Sequence, residues 1–520
     1  MPTQTDYDVL VAGAGPVGLM LATELRLAGV RVLVVERRTE PDPAAKAGAI
    51  NTASAEALQR RGLLAALQAA EGQHPRAGQG PGEHKRPASV GHFGGIQVPA
   101  DPVDREDPSL RGRGPAWYLQ VPQVEVERVL GERAAELGTE VRRGVAVTGF
   151  DAGEDGVTVH LDGGGDVRVA WLVGCDGGRS LVRREAGFEF PGTDPQITFR
   201  QVAGTVEGAE LLGAGWQHTP TGVYVHGPGP GRVRTVELDG PPADRDAPVT
   251  AAEMEASLRR VSGADVRVTE VVSGTRFTDN ARQATTYRRG RVLLCGDAAH
   301  VHSPFSGQGL NLGLGDAVNL GWKLAATVQG WAPEGLLDTY TSERHPIGAW
   351  VLDWTRAQVA VMRGDDYSRA LRAVVTDFLG TPDGATYYVQ RISGLWQRYD
   401  LGDGHPLIGA AMPDLRLDDG TRLSDHTRDG RTLLVDLAGD DRLGALAKPY
   451  ADRLDLLRAG AAGAGVTALL VRPDGFVAWA CADPDPAADP TALQTALTRW
   501  LGDDSSGSRG AESGAEISAE

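Results

Sequence analysis

The sequence predicts an α/β protein in which a mostly parallel sheet is covered by helices, with an antiparallel sheet inserted into it and a smaller domain at its C-terminal end. Three observations predict this arrangement. Apolar runs of strand length lead through glycine-rich turns into helical patterns at residues 7–36 and again at 291–328. Short alternating runs separated by Gly-Pro turns occupy residues 188–277, which is typical of antiparallel strands. A further set of strand-like runs begins near residue 405.

Length, charge and cysteine content limit the function classes. A chain of 520 residues is too long for one typical core, so we expect two or three domains with room for a large cofactor. Its 52 Lys and Arg against 69 Asp and Glu give a net charge of −17, the wrong sign for binding nucleic acid. No basic n-region opens the chain and no run approaches about eighteen apolar residues, which predicts a cytoplasmic protein that does not enter a membrane. Cys175, Cys295 and Cys481 are widely spaced and odd in number, which predicts free thiols.

The first motif follows a strand predicted over residues 7–12. Its turn, Gly13-Ala14-Gly15-Pro16-Val17-Gly18, has the spacing G-x-G-x-x-G and leads into a helical pattern over residues 19–28. Gly13 allows the tight turn, Gly15 lets the backbone approach a pyrophosphate, and Gly18 lets helix and strand pack closely. A second strand ends in Glu36, where this fingerprint places an acid for a ribose hydroxyl. Because a helix N-terminus favours anions, the unit predicts a Rossmann-like dinucleotide site rather than an unrelated glycine-rich turn.

The second motif follows a buried strand predicted over residues 291–295. Asp297 stands at its carboxyl end, the edge where ligands of open α/β sheets collect, and can accept hydrogen bonds from sugar or ribityl hydroxyls. The loop SPFSGQG then leads into a helix predicted over residues 308–328. We expect Gly307 and Gly309 to present main-chain N–H groups to the carbonyl of a flat ring and to stabilise the anion of a reduced flavin. The spacing therefore favours FAD over NAD.

Two other patterns have plainer interpretations. Asp297, His300 and His302 resemble part of a metal cluster, but no nearby Cys, Asp or Glu cluster completes a ligand set, so we expect no metal. Trp350 and Trp354 lie four residues apart on one predicted helix face, which favours core packing over ligand stacking.

Three motifs together carry a family resemblance. They are GAGPVG with Glu36, the DG pair Asp176-Gly177 within LVGCDGGRSLVRREAG, and GDAAHVHSPFSGQGLNLGLGDAVNLGWKLA around Asp297. The sequence resembles the class A FAD-dependent aromatic hydroxylases, the para-hydroxybenzoate hydroxylase-like flavin monooxygenases, and among them most resembles aromatic polyketide hydroxylases. The resemblance covers about residues 5–395 and, more weakly, about 405–502.

The resemblance implies a role for each motif. Asp297 would bind the ribityl chain, the backbone of Gly307, Gln308, Gly309, Leu310 and Asn311 would meet the flavin ring, and the DG pair would assist both FAD and the nicotinamide cofactor. Many relatives carry two arginines where this chain has Lys46, which can supply a point charge, and Ala53, which cannot. The residues expected to bind FAD are Gly13, Gly15, Pro16, Val17, Gly18, Glu36, Arg37, Lys46, Gln123, Asp176, Gly177, Asp297, Pro304, Gly307, Gly309, Leu310 and Asn311.

The implied activity is that of a monooxygenase. NADPH, chosen over NADH from the resemblance, would reduce FAD, and reduced flavin would form a C4a-hydroperoxide with O₂ that hydroxylates an aromatic polyketide ring. No catalytic side chain is assigned, because the flavin carries the chemistry. Three alternatives stay open: Baeyer–Villiger insertion or epoxidation, a flavin reductase or dehydrogenase without oxygen transfer, and a flavin-binding protein without catalysis.

The domain expectations follow the same resemblance. We expect a discontinuous FAD-binding domain (1–71, 116–187 and 278–400), a substrate-binding sheet domain (72–115 and 188–277), a thioredoxin-like C-terminal domain without C-x-x-C (401–502) and a disordered tail (503–520). Trp216, Tyr224 and His226, together with His218, are expected to line the substrate pocket. Arg232 and Arg234 share one strand face, yet neither is predicted to anchor a carboxylate, so broad apolar walls favour a polycyclic phenol. A homodimer is a further expectation.

Overall fold

The computed structural model describes residues 5–42, 47–73, 88–110, 118–163, 165–227, 231–245, 247–487 and 490–503. Its strands are β1 (Tyr7–Ala12), β2 (Val32–Glu36), β3 (Ile50–Asn51), β4 (Ser89–Phe93), β5 (Ile96–Pro99), β6 (Tyr118–Leu119), β7 (Glu140–Arg143), β8 (Val147–Ala152), β9 (Val157–Leu161), β10 (Gly165–Gly174), β11 (Gly192–Thr193), β12 (Thr198–Glu207), β13 (Gly215–Thr219), β14 (Gly222–His226), β15 (Arg232–Glu237), β16 (Arg267–Phe277), β17 (Ala281–Gln283), β18 (Arg288–Arg289), β19 (Val292–Leu294), β20 (His300–Val301), β21 (Thr432–Asp436), β22 (Leu454–Arg458), β23 (Ala468–Val471) and β24 (Val477–Cys481). Its α-helices are α1 (Pro16–Leu27), α2 (Thr52–Arg60), α3 (Leu64–Gln73), α4 (Gln123–Glu136), α5 (Leu181–Glu185), α6 (Ala251–Ser262), α7 (Gln308–Gln329), α8 (Thr339–Met362), α9 (Asp366–Leu379), α10 (Pro382–Ile392), α11 (Asp441–Ala447) and α12 (Pro490–Leu501).

The central sheet has the order β18-β19-β10-β1-β2-β7. The pairs β19/β10, β10/β1, β1/β2 and β2/β7 are all parallel, so the carboxyl ends of these strands meet at one edge. Both faces are covered by helices, which is why β1 and β2 read as continuous apolar runs with residues such as Val9, Leu10 and Val34 fully buried. This architecture confirms the predicted α/β fold and gathers the turns after β1, β10 and β19 at one site.

The inserted sheet has the order β13-β14-β15-β12-β16 and is antiparallel throughout. Helix α6 covers one face, and its apolar side chains Met254, Leu258 and Val261 are fully buried against that face. The opposite face packs Phe199 and Val236 against Phe305, which belongs to the loop before α7. The antiparallel sheet and its helix are as predicted, and one of its faces is turned toward the second motif.

The segment VGHFGGIQV forms a hairpin rather than one kinked strand. It forms two antiparallel strands, β4 and β5, because Gly94 and Gly95 adopt φ values of +54° and +89° and reverse the chain between them. The hairpin packs on α8 and α10 through Phe93, Tyr388 and Val389. Trp350 and Trp354 stack nearby with ring centroids 5.0 Å apart, so their predicted packing role is confirmed.

The C-terminal sheet has the order β22-β21-β23-β24, with one parallel pair, and α12 packs against it. The thioredoxin-like architecture without C-x-x-C is consistent with this arrangement, and all three cysteines are free. Arg472 and Asp474 of this domain enter a buried ion network with Glu343 and Lys323 of α8 and α7. Of the predicted tail, residues 504–520 lie outside the described part of the chain. No helix in the described residues is both long and apolar enough to cross a membrane.

Candidate functional site

The three glycines of the first motif have three different steric environments. Gly13 has φ +111°, and a Cβ there would lie 2.4 Å from the Cys175 carbonyl oxygen at the end of β10. A Cβ on Gly18 would lie 2.0 Å from the Gly13 carbonyl oxygen, so only glycine allows α1 to pack this closely on the turn. A Cβ on Gly15 would meet nothing within 4 Å. The turn therefore needs Gly13 and Gly18 for its own packing, whereas Gly15 leaves space in front of the backbone.

Glu36 fixes the geometry of this turn. One of its carboxylate oxygens accepts from the Ala14 N–H and the other from the Arg38 N–H, each at 2.9 Å. The side chain is half-buried at the carboxyl end of β2, beside the glycine turn, and the neighbouring Arg37 is exposed. An acid therefore stands where the sequence predicts one.

Two helix N-termini meet at this edge without side-chain caps. Helix α1 begins after Gly15 and α7 begins after Gly307, and neither helix has a capping side chain or an acidic residue in its first turn. Val17 brings them together: a Cβ on Gly313 would lie 2.5 Å from its side chain, and one on Gly296 3.1 Å away. The first-turn N–H groups and both helix dipoles make this a region of positive potential. Such a region suits a diphosphate and an electron-rich ring carbonyl.

Asp297 and His302 provide two hydrogen-bond acceptors beside the first turn of α7. Asp297 is exposed at the carboxyl end of β19, and a Cβ on Gly309 would lie 3.8 Å from its Oδ1 and 3.5 Å from His302 Nε2. The His302 Nδ1–H donates to the Ser303 carbonyl at 2.8 Å, so Nε2 is left as an acceptor, and it has no partner among the described residues. Burial lowers the pKa of His302 and keeps it neutral. Two acceptors around bare backbone suit a polyhydroxylated chain such as ribityl.

The DG pair lies beside the first glycine turn. Asp176 Oδ2 accepts from the N–H groups of Leu181 and Val182 at 2.7 and 3.2 Å, which caps the short helix α5. Its Oδ1 is buried without a partner in the described residues. Gly177 adopts φ +80° and a Cβ there would meet nothing within 4 Å. Asp176 therefore holds the local fold and keeps one oxygen free.

The loop before α7 differs from its prediction in one respect. The Gly307 N–H does not face open space, because it donates to the Pro304 carbonyl at 3.2 Å. Gly307 instead adopts the left-handed backbone conformation, φ +61°, that the chain needs just before α7 begins. The predicted N–H groups at Gly309 and Leu310 remain in the first turn of the helix, and the Asn311 side chain is used internally, accepting from the Asn51 N–H at 2.9 Å.

Ser306 is held in a strained conformation in the same loop. Its φ is +67°, the one positive value at a non-glycine residue in the described ranges. Its hydroxyl donates to Gln358 Oε1 at 2.8 Å, and the Gly94 N–H donates to the same oxygen at 3.1 Å. One acceptor on α8 thus joins the loop before α7 to the β4/β5 hairpin.

The remaining predicted residues lie around this site. Gln123 begins α4, its N–H donating to the Ala47 carbonyl and its amide to Glu127. Ala53 lies in the first turn of α2 and packs closely on Gly394, where an added Cβ would lie 2.8 Å from the Cβ of Ala53. Lys46 lies outside the described residues. His300 is fully buried, and its Nε2 forms a hydrogen bond of 2.6 Å with Asp316 of α7, so the ring has a structural role.

The predicted set of pocket residues is wrong in part. Trp216 and His218 lie on the face turned toward the loop before α7, with the Trp216 and Phe305 ring centroids 6.3 Å apart. Tyr224 lies on the opposite face, packed under α6, and its hydroxyl accepts from the Gly213 N–H. His226 follows Tyr224 by two residues and shares that face. Of the three residues Trp216, Tyr224 and His226, only Trp216 lies on the side of the two motifs.

His92, on the hairpin, faces Trp216 with ring centroids 4.3 Å apart. Burial, assisted by the charge of Arg234, lowers the pKa of His92 to about 4. An unfolded histidine titrates near 6.5, so the unfolded state takes up this proton first and His92 costs stability as the pH falls from about 6.5 to 4.

We expect His92→Gln to lose less unfolding free energy than the parent protein between about pH 7 and about pH 5 in urea titrations. An equal or larger loss would contradict this.

These features define a class of protein, in which a two-motif dinucleotide site adjoins the aromatic face of an inserted antiparallel sheet. Comparisons with known proteins define it further. Residues 6–355 match the family described as FAD binding domain, and residues 405–503 match the family described as aromatic-ring hydroxylase, C-terminal. The chain therefore belongs to the FAD-dependent aromatic-ring hydroxylases, and FAD is its cofactor.

Similar proteins agree over nearly the whole length. The 12-dehydrotetracycline 5-monooxygenase/anhydrotetracycline 6-monooxygenase of Streptomyces rimosus is 44% identical over 521 residues, covering 95% of this chain and 99% of that protein. The rifampicin monooxygenase of Streptomyces venezuelae is 40% identical over 503 residues, covering 95% and 99%. The solved structure of the OxyS anhydrotetracycline hydroxylase from Streptomyces rimosus superposes with a TM-score of 0.85 at 41% identity, covering 96% of this chain and 99% of that one.

Proposed function

We propose that this protein is a NAD(P)H-dependent FAD monooxygenase that hydroxylates a polycyclic phenol of the aromatic polyketide class. The observation that carries the proposal is the meeting of the two uncapped helix N-termini with Asp297 and His302, while Phe305 of the adjoining loop packs on the aromatic face of the inserted sheet. Relatives named for oxygenation of polycyclic compounds support it. Alternatives without oxygen transfer have no such support.

The residues divide the binding of FAD between them. The open backbone at Gly15 and the N-terminus of α1 would take the pyrophosphate, and Glu36 would accept from a ribose hydroxyl. Asp297, beside the first turn of α7, would accept from the ribityl chain, and the free oxygen of Asp176 lies beside the first glycine turn. The first-turn N–H groups of α7, at Gly309 and Leu310, would donate to the flavin ring.

When bound, FAD supplies the acceptance of a hydride from NAD(P)H and the activation of O₂. The protein would supply a substrate cavity beside the cluster of Trp216, Phe199 and Phe305, whose aromatic side chains would exclude water from it. We call the loop before α7, residues 303–307, the flavin-side loop. Ser306 of this loop and Gly94 of the β4/β5 hairpin both donate to Gln358 Oε1, so the loop and the hairpin are held at a fixed distance from each other. Positioning a ring against the cofactor is what this geometry can do.

The function is tested on the purified protein. We expect a yellow protein with noncovalent FAD, NADPH oxidation that accelerates with a three- or four-ring phenol, and much slower oxidation with para-hydroxybenzoate. NADH is run in parallel, because no residue described here selects between the two. Peroxide without hydroxylated product would favour a reductase, and a colourless protein that cannot be reconstituted would contradict the assignment. A cytoplasmic location and a homodimer remain predictions.

Asp297→Ala tests the ribityl contact. A charge-assisted hydrogen bond contributes on the order of 1.5–3 kcal/mol, so FAD affinity is expected to fall about ten- to a hundredfold. The measurement is a fluorescence titration of apo-protein with FAD. Exposed Asp403→Ala serves as the control for loss of one carboxylate and should bind FAD like the parent. Unchanged affinity in a folded Asp297→Ala protein would reject this role.

A further inference from the structure

The side of the inserted sheet that faces the proposed cavity carries one row of side chains across its strands, of which the last three are polar. Register places Trp216 opposite Val225, Val225 opposite Arg234, Arg234 opposite Gln201, and Gln201 opposite Thr275. Paired residues of neighbouring strands point to the same face, and Phe199, two residues before Gln201, contacts Phe305 from that face. The row therefore lies on the cavity side, one step along the strands from the apolar contact with the flavin-side loop.

Arg234 is a half-buried cation without a counter-ion. Its Nε donates to Gln201 Oε1 at 2.9 Å and its Nη1 to the Gly227 carbonyl at 3.3 Å, both neutral acceptors. No carboxylate of the described residues lies within ion-pair distance of it, and burial, followed by the charge of Arg232, lowers its pKa. An arginine so placed retains an unneutralised charge in a region of reduced solvation.

Arg200 shows how the same sheet treats an arginine that serves the fold. It lies on the opposite face, under α6, where its guanidinium pairs with Glu237 at 2.6 Å and with Glu253 at 2.8 Å. Structural arginines of this sheet are thus neutralised by carboxylates on the α6 side. The cavity side supplies none to Arg234, which is the arrangement expected if a ligand brings the negative charge.

Hydrogen-bond donors surround Arg234. Thr275 Oγ1 is buried and has no partner among the described residues. The Gly95 N–H donates to His92 Nδ1 at 3.3 Å, so the proton of this neutral ring lies on Nε2, which is a further donor. Gln201 Oε1 is used by Arg234, which leaves its NH₂ group to donate. Together Arg234, Gln201 and Thr275 line a small recess of about 40 Å³, which has room for one oxygen substituent of a ring rather than for the ring itself.

We propose that Arg234, with Gln201 and Thr275, forms a subsite that binds an ionised oxygen of the substrate, a phenolate or an enolised diketone, and thereby orients the polycyclic ring. The inference rests on the proposed function. It revises the expectation, drawn from the sequence, of broad apolar walls without an anchor. The subsite makes the ring system enter with its acidic edge at the sheet, which leaves another edge toward the flavin-side loop.

The test compares ligand binding to reconstituted holoenzyme with and without an ionisable hydroxyl. The probes are alizarin, a three-ring phenol, and its dimethyl ether, titrated against flavin fluorescence in the parent protein, Arg234→Met and Arg234→Lys. Loss of a charge-assisted contact should weaken alizarin binding to Arg234→Met about ten- to a hundredfold and leave the ether unchanged. Arg234→Lys should recover much of the difference. Exposed Arg267→Met, on the same sheet, is the matched control and should behave as the parent.

A second readout needs no variant. Alizarin changes its absorption when it ionises, and the parent holoenzyme should lower the pH at which bound alizarin ionises relative to the free dye. Equal weakening of alizarin and ether by Arg234→Met, or no shift of the bound dye's ionisation, would overturn the subsite. A holoenzyme that binds neither probe would overturn it together with the polycyclic substrate class. Loss of FAD would appear separately, as a colourless protein, and would contradict the proposed function itself.

Discussion

Gly15→Val is expected to abolish FAD binding while the apo-protein still folds. A Cβ at this position meets nothing within 4 Å, and the backbone φ of −73° is one that any residue adopts, so the substitution creates no clash or strain within the chain. Its isopropyl group would instead occupy the space in front of the N-terminus of α1, where the pyrophosphate must approach the backbone. We expect affinity for FAD to fall on the order of a hundredfold or more, since each tenfold is about 1.4 kcal/mol.

The measurement pairs FAD titration with thermal unfolding of the apo-protein. Gly165→Val is the matched control, because this glycine begins β10 far along the strand from the site and a Cβ there also meets nothing within 4 Å. The control should bind FAD like the parent. Tight FAD binding by Gly15→Val would show that the pyrophosphate lies elsewhere, and an apo-protein that unfolds would show that the glycine serves the fold.

Asp316→Ala is expected to have the largest effect on stability. The fully buried carboxylate accepts from Arg344 Nε at 2.8 Å, from His300 at 2.6 Å and from the Gly296 N–H at 3.2 Å. Although burial opposes its ionisation, the charges of His300 and Arg344 outweigh that effect and lower its pKa. Removing it leaves a buried guanidinium unpaired, so the free energy of unfolding should fall by about 3–5 kcal/mol.

Urea unfolding of the holoenzyme measures this loss, and Asp338→Ala is its control. Asp338 pairs with Arg288 on the surface, where its side chain is 69% exposed, so its loss should cost about 0–1 kcal/mol. Because Asp316 also holds the Gly296 N–H next to Asp297, we expect Asp316→Ala to weaken FAD binding as well. A destabilisation no greater than that of the control would contradict the role of this carboxylate.

The local part of the fold was predictable from the sequence. The β1 and α7 bounds agree with the patterns at residues 7–12 and 308–328 to within a residue, because strand, turn and helix signals there lie within a short stretch of chain. The steric roles of Gly13 and Gly18 follow from the same local geometry. Gly307 is the exception, since its bond to Pro304 depends on the turn before it.

The non-local part was not predictable. Alternation along β14 shows that Tyr224 and Val225 point to opposite faces, but not which face α6 covers, and the choice of Tyr224 for the cavity was therefore wrong. The lack of a counter-ion at Arg234 likewise could not be predicted, because it depends on which side chains the neighbouring strands place around it. One signal was available: Asp316 and Lys323 are charged residues in the otherwise apolar pattern of α7, and both proved to be buried in ion networks.

In the proposed reaction the protein transfers one oxygen atom from O₂ to a polycyclic phenol. The most direct measurement is mass spectrometry of the product formed from such a phenol, NADPH and heavy-isotope O₂ in ordinary water. We predict a product heavier than the substrate by one atom of the heavy isotope, formed in proportion to the NADPH oxidised. A product that takes its oxygen from water, or NADPH oxidation that yields only peroxide with every polycyclic phenol tried, would contradict the account.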